Sequence, residues 1–121
     1  MRIILADGHP EVRSALRLLL EEDPGTTIVG EAATTENLIE QTGTVRPEMV
    51  LLDCDLQGLS TSDLMAVLRS ISPGLLVIAL CGRPENRQPA LLAGVDAFVS
   101  KGEAPERLLA TIAGCCGKTL G

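Results

Sequence analysis

Five short apolar runs, Ile3–Ala6, Ile28–Ala32, Met49–Leu52, Leu75–Leu80 and Ala97–Val99, are separated by stretches with helical spacing. Three of them, Ile3-Ile4-Leu5-Ala6, Met49-Val50-Leu51-Leu52 and Leu75-Leu76-Val77-Ile78-Ala79-Leu80, lack the polar alternation of a half-solvated strand. They therefore read as strands covered on both faces. Strands of that kind, alternating with helices, predict an α/β domain: a doubly wound, five-stranded parallel sheet with helices on both faces.

The helical stretches carry their own signals. Val12, Leu16 and Leu19 fall at i, i+4 and i+7 after Pro10, which predicts a first helix over Pro10–Glu22. Leu64, Leu68 and Ile71 repeat the spacing behind Ser60, whose hydroxyl is expected to cap the helix while Asp63 favours its positive end. Leu108, Ile112 and Cys115 do the same behind Pro105, and a weaker apolar stripe marks a second helix around Glu36–Thr42. The fourth crossover holds Pro84 and Pro89. An interior proline costs about 3 kcal/mol, so a short helix is expected from Pro89 to Ala93, with Gly94 as its stop and a loop ahead of it.

At 121 residues, 45% hydrophobic and 21% charged, the chain can fill the core of one domain. Ten Lys and Arg face sixteen Asp and Glu for a net charge of −6, and the basic residues do not cluster, which argues against direct nucleic-acid binding. The longest apolar run, Leu75–Cys81, is far shorter than the roughly 20 residues a membrane-spanning helix needs. Cys54, Cys81, Cys115 and Cys116 show no CxxC spacing and follow no leader-like segment, so they are expected to be reduced thiols in a cytoplasmic protein. The only aromatic is Phe98.

In an open parallel sheet, ligands bind beyond the carboxyl ends of the strands. The residues at those ends here are Asp7, Asp53, Cys81 and Lys101. Each alone reads as a capping acid, core thiol or solvated lysine. Together, two carboxylates form a hard oxygen site suited to Mg2+, with a lysine beside it to meet a phosphate.

The segments Leu5-Ala6-Asp7-Gly8-His9-Pro10, Val50-Leu51-Leu52-Asp53-Cys54-Asp55-Leu56-Gln57-Gly58 and Ala97-Phe98-Val99-Ser100-Lys101 resemble the signatures of response-regulator receiver domains. The likeness is strongest to the NarL/FixJ, LuxR-class type, in which a run such as Val29-Gly30-Glu31-Ala32 forms the second strand, and it covers nearly the whole chain. The resemblance implies a flavodoxin-like strand order 2-1-3-4-5, a receiver over residues 1–116 and a loose tail over 117–121. It implies Asp53 as phosphoacceptor from a sensor histidine kinase, and Mg2+ held by Asp7, Asp53 and the backbone carbonyl of Asp55. Lys101 would contact the phosphate, and positions 81 and 98 would be switch residues. It also implies a homodimer or partner contact through helix four, strand five and helix five, upstream of transcriptional regulation. Such receivers usually precede a helix-turn-helix domain, so a single-domain protein and the receiver portion of a longer one are both open readings.

Three departures from the pattern qualify these expectations. Gly8 stands where receivers carry a second acid, which predicts weaker Mg2+ binding; the Asp55 side chain either compensates or is a solvated loop acid. Cys81 replaces Ser or Thr, and a thiol is a weaker donor than a hydroxyl; it is read as an inert filler rather than a redox sensor. Phe98 either accompanies that switch or fills core. The fourth crossover, shorter between Cys81 and Gly94 than the family norm, implies a different partner geometry. His9, the only histidine, is read as the entry residue of helix one, and Cys115 and Cys116 as packing residues. The alternative function is a pseudo-receiver, an interaction module independent of phosphorylation. The lack of a Gly-rich phosphate loop and of an aromatic to sandwich a flavin speaks against a flavodoxin-like cofactor binder or small enzyme.

Overall fold

The computed structural model describes residues 1–120, with side chains through Cys115. In chain order the elements are β1 (Arg2–Ala6), α1 (Pro10–Leu20), β2 (Thr27–Ala32), α2 (Thr35–Val45) and β3 (Met49–Asp53). They continue with α3 (Thr61–Ile71), β4 (Leu76–Cys81), a 3-10 turn (Pro84–Asn86), α4 (Arg87–Leu92), β5 (Ala97–Ser100) and α5 (Pro105–Leu120). All neighbouring strands pair in parallel, in the order β2-β1-β3-β4-β5. The doubly wound sheet and its order 2-1-3-4-5 are as expected, and the reversal of direction lies between β1 and β3.

The doubly apolar strands explain the layering. Ile3, Leu5, Met49, Leu51, Ile78 and Leu80 face one way, onto Leu20 of α1 and Leu108 and Ile112 of α5. Ile4, Ala6, Val50, Leu52, Val77 and Ala79 face the other, onto Leu38, Leu64, Leu68 and Ala90 of α2, α3 and α4. Each fully buried aliphatic side chain contributes about 1.5–3 kcal/mol. Leucine thus does the work that aromatics do elsewhere.

Local chemistry sets most boundaries. The Ser60 hydroxyl accepts the Asp63 N–H at 3.1 Å, as its position before the third apolar stripe predicts, and Thr34 caps α2 through the Asn37 N–H at 3.1 Å. The fourth crossover differs from expectation: a 3-10 turn opens at Pro84 and α4 starts at Arg87, two residues before Pro89. Pro89 is the third residue of α4, where no intrahelical partner for an N–H exists, so its ring is tolerated there. Gly94, at φ +105°, ends the segment as predicted. The backbone of α5 is helical through Leu120; the Cys116 side chain and residue 121 lie outside the described residues. No helix among the described residues is long and apolar enough to cross a membrane.

Candidate functional site

β1 and β3 are inner strands; Asp7 directly follows β1 and Asp53 ends β3. Asp7 is 2% exposed and Asp53 4% exposed. Lys101, just past β5, reaches back to both: its Nζ donates to Asp7 Oδ2 at 2.9 Å and lies 3.3 Å from Asp53 Oδ1. The backbone fixes this reach, since the Lys101 N–H donates to the Cys81 carbonyl at 2.8 Å. Asp7, Asp53, Cys81 and Lys101, far apart in sequence, therefore share one rim.

Further hydrogen bonds aim the carboxylates. The Asp55 N–H donates to Asp53 Oδ1 at 3.1 Å, and the His9 N–H donates to Asp7 Oδ1 at 2.9 Å. Burial pushes the Asp7 carboxyl up, but the Lys101 hydrogen bond and then the His9 amide and ring outweigh it and hold the group below its ordinary value. For Lys101, burial disfavours the ammonium, yet the Asp7 hydrogen bond and the Asp53 charge raise its pKa above the usual lysine range. Asp7 is thus ionised and Lys101 charged at neutral pH.

The Asp7, His9 and Asp53 side chains each offer a ligand atom within 4.8 Å of the others. Two buried carboxylates against one ammonium leave negative charge to be balanced. That donor set fits Mg2+, which needs only one or two protein carboxylates and keeps waters in its other positions. His9 is an addition to the sequence reading, which set it aside as a helix-entry residue; it is that as well, at the N-cap of α1, but its Nδ1 lies 3.0 Å from Asp7 Oδ1. Its place two residues past a strand-end acid was the available signal. Asp55 keeps its side chain exposed, outside the Asp7, His9, Asp53 group.

Gly8, the departure from the acidic pair, has room for a side chain: a Cβ there would meet only the Ala33 carbonyl, at 3.7 Å. Phe98 is half-buried and packs against the α2, α3 and α4 side of the core. Its other side borders a cavity with Pro84, Arg87 and Arg107.

The expectation of reduced thiols is corrected at two positions: Cys54 and Cys81 are joined by a disulfide, with their Cα atoms 5.3 Å apart. Asp53 pairs with Leu80 in the β3–β4 register, so the next residues on each strand, Cys54 and Cys81, come side by side at a distance a disulfide bridges. Sequence spacing alone hides this, because 27 residues separate them; strand adjacency creates it.

The family model described as "Response regulator receiver domain" matches residues 3–113. The "Nitrate/nitrite response regulator protein NarL" of Escherichia coli (strain K12) is 33% identical over 109 residues, covering 88% of this chain and 50% of that protein. "Response regulator UvrY" of the same organism is 29% identical over 114 residues, 93% of this chain and 52% of its own length. The chain thus spans about half the length of the curated relatives it matches. A crystal structure of a two-component response regulator of the LuxR family from Aurantimonas sp. SI85-9A1 superposes with a TM-score of 0.89 at 26% identity, covering 97% of this chain and 85% of that one.

Proposed function

The chain belongs to the response regulator receiver domain family, and from that membership we propose that residues 1–116 act in two-component signalling by accepting a phosphoryl group on Asp53 from a sensor histidine kinase. The observation that carries this is the Lys101 ammonium bridging two buried carboxylates at the strand tips. An Asp53 oxygen attacks the phosphorus of a phosphohistidine, the P–N bond breaks, and an aspartyl phosphate forms. Lys101 then pairs with a phosphoryl oxygen. Asp7 and Asp53, with the Asp55 carbonyl, are the groups that would hold Mg2+, and the ion when bound supplies positive charge to the equatorial phosphoryl oxygens. Asp7 holds Lys101 in place by its hydrogen bond, and the Asp55 amide fixes the direction of the Asp53 carboxylate.

The output face is the surface of α4, β5 and α5, where a second copy or another partner docks; exposed Leu91, Leu92 and Leu109 support that assignment. The signalling outcome proposed is control of transcription from a cytoplasmic location, with no nucleic-acid contact by this chain, which carries a net charge of −6.

A second reading, a pseudo-receiver, is favoured by Gly8 and by the bonded Cys81, which together withdraw one acid and one donor from the rim. Incubation with acetyl phosphate and Mg2+, followed by intact-mass analysis under reducing conditions, separates the two. A single phosphoryl added to the wild type and lost in Asp53→Asn supports signalling. No addition supports the pseudo-receiver.

A further inference from the structure

We infer that Cys54 and Cys81 are a redox-responsive pair whose disulfide holds the strand tips in one arrangement and slows phosphoryl transfer to Asp53, an inference that rests on Asp53 being the acceptor.

Three placements carry it. Cys54 directly follows Asp53, and its N–H donates to the Leu80 carbonyl at 3.3 Å. Cys81 ends the neighbouring strand, and its carbonyl holds the Lys101 amide. One covalent bond therefore ties the tip that bears Asp53 to the tip that bears position 81, and the second tip holds the Lys101 amide by a hydrogen bond. On the receiver reading, position 81 is the switch residue whose donor meets a phosphoryl group on Asp53. Disulfide sulfur has no proton to donate, and this one is anchored to Cys54. Reduced, Cys81 regains both its S–H and its freedom to rotate. Because the tips must rearrange as the phosphoryl group is received, locking them in one arrangement hinders that step and slows phosphoryl gain.

The route for exchange is also visible. Cys81 is fully buried, but Cys54 is half-buried and lines a cleft of about 340 Å³ with Asp55, Ser62, Asn86 and Pro89. A small-molecule disulfide enters there. The Cys54 sulfur takes one of its halves and releases the other as a thiol. The Cys81 sulfur then displaces the second half, again as a thiol. Two protein S–H bonds are lost, one S–S bond forms, and both protons and both electrons leave on the two thiols. A thiol reductant reverses the sequence. Cys115 packs on the opposite face of the sheet, with α1 and α5.

The test uses the full chain, treated either with dithiothreitol or with oxidised glutathione and then freed of reagent. Alkylation and peptide mapping locate the disulfide, and acetyl phosphate with Mg2+ then gives the rate of phosphoryl gain by intact mass. The expected result is a 54–81 disulfide in the oxidised sample, with phosphoryl gain at least about fivefold slower than in the reduced one. Cys54→Ser should gain phosphoryl equally after either treatment. Equal rates in the two wild-type samples, or no 54–81 disulfide after oxidised glutathione, overturns the redox gate while leaving the acceptor assignment standing. No gain in either sample overturns the acceptor assignment and the gate with it.

Discussion

Glu31, on β2, sits between two arginines of α1, 2.8 Å from Arg13 Nε and 2.7 Å from Arg17 Nη2. The Arg17 hydrogen bond, against a smaller opposing push from burial and with help from Arg13, holds Glu31 below its ordinary value of 4.5. A carboxylate whose folded pKa is depressed adds stability above its unfolded pKa and loses it as pH falls through the folded one. The stability gap between wild type and Glu31→Gln, from urea titrations, should therefore be larger at about pH 7 than at about pH 3; a gap that does not change with pH contradicts this. Gly8 gives a second expectation. Since a Cβ there meets only the Ala33 carbonyl, Gly8→Asp should fold normally and bind Mg2+ on the order of tenfold more tightly, about 1.4 kcal/mol, in a calorimetric titration. Unchanged affinity would show that this position does not face the cation. Asp7, Asp53 and Lys101 were legible beforehand because each ends a recognisable strand. His9 was not, because a residue before a helix-starting proline already has a local explanation.

The connection from β3 to α3 depends on Gly58, whose φ of +128° is open only to glycine and whose missing Cβ leaves room for the buried Thr35 hydroxyl. That hydroxyl accepts the Leu59 N–H at 2.9 Å and so pins the loop that follows Asp53. Gly58→Ala should cost about 1–3 kcal/mol from backbone strain alone, read as a lower denaturant midpoint; a midpoint within error of wild type would contradict the close packing. The disulfide closes the β3–α3–β4 unit across a separation of 27 residues. By loop-closure entropy, reduction should lower stability by about 3.5 kcal/mol, and identical urea midpoints with and without reductant would contradict that. The strands and the first, third and fifth helices were readable because apolar periodicity and caps agree there. The fourth helix was mis-started because proline penalties apply to a helix interior, and Pro89 lies in the first turn, a distinction that needs the boundary in advance. The Cys54–Cys81 bond was hidden for a related reason, since it is a product of strand order and register rather than of spacing.

The sheet order brings every strand tip that carries chemistry to one edge, and that follows from the handed connections of a parallel sheet more than from any single residue. Two nearly buried carboxylates with a shared lysine are costly to assemble, because burial opposes both signs of charge, and they are held together by mutual hydrogen bonds. The chain assembles this cluster with Gly8 beside it. The two apolar clusters on either side of the sheet fix the tips in place, so the cluster is preorganised by the fold as a whole. The most direct test is to treat the reduced protein with acetyl phosphate and Mg2+, reduce any acyl phosphate with borohydride, and sequence the peptides by mass spectrometry. Conversion of residue 53 to homoserine is the predicted result. Homoserine at position 7 or 55 instead, or at none of the three, would contradict the assignment of Asp53 as the reacting group.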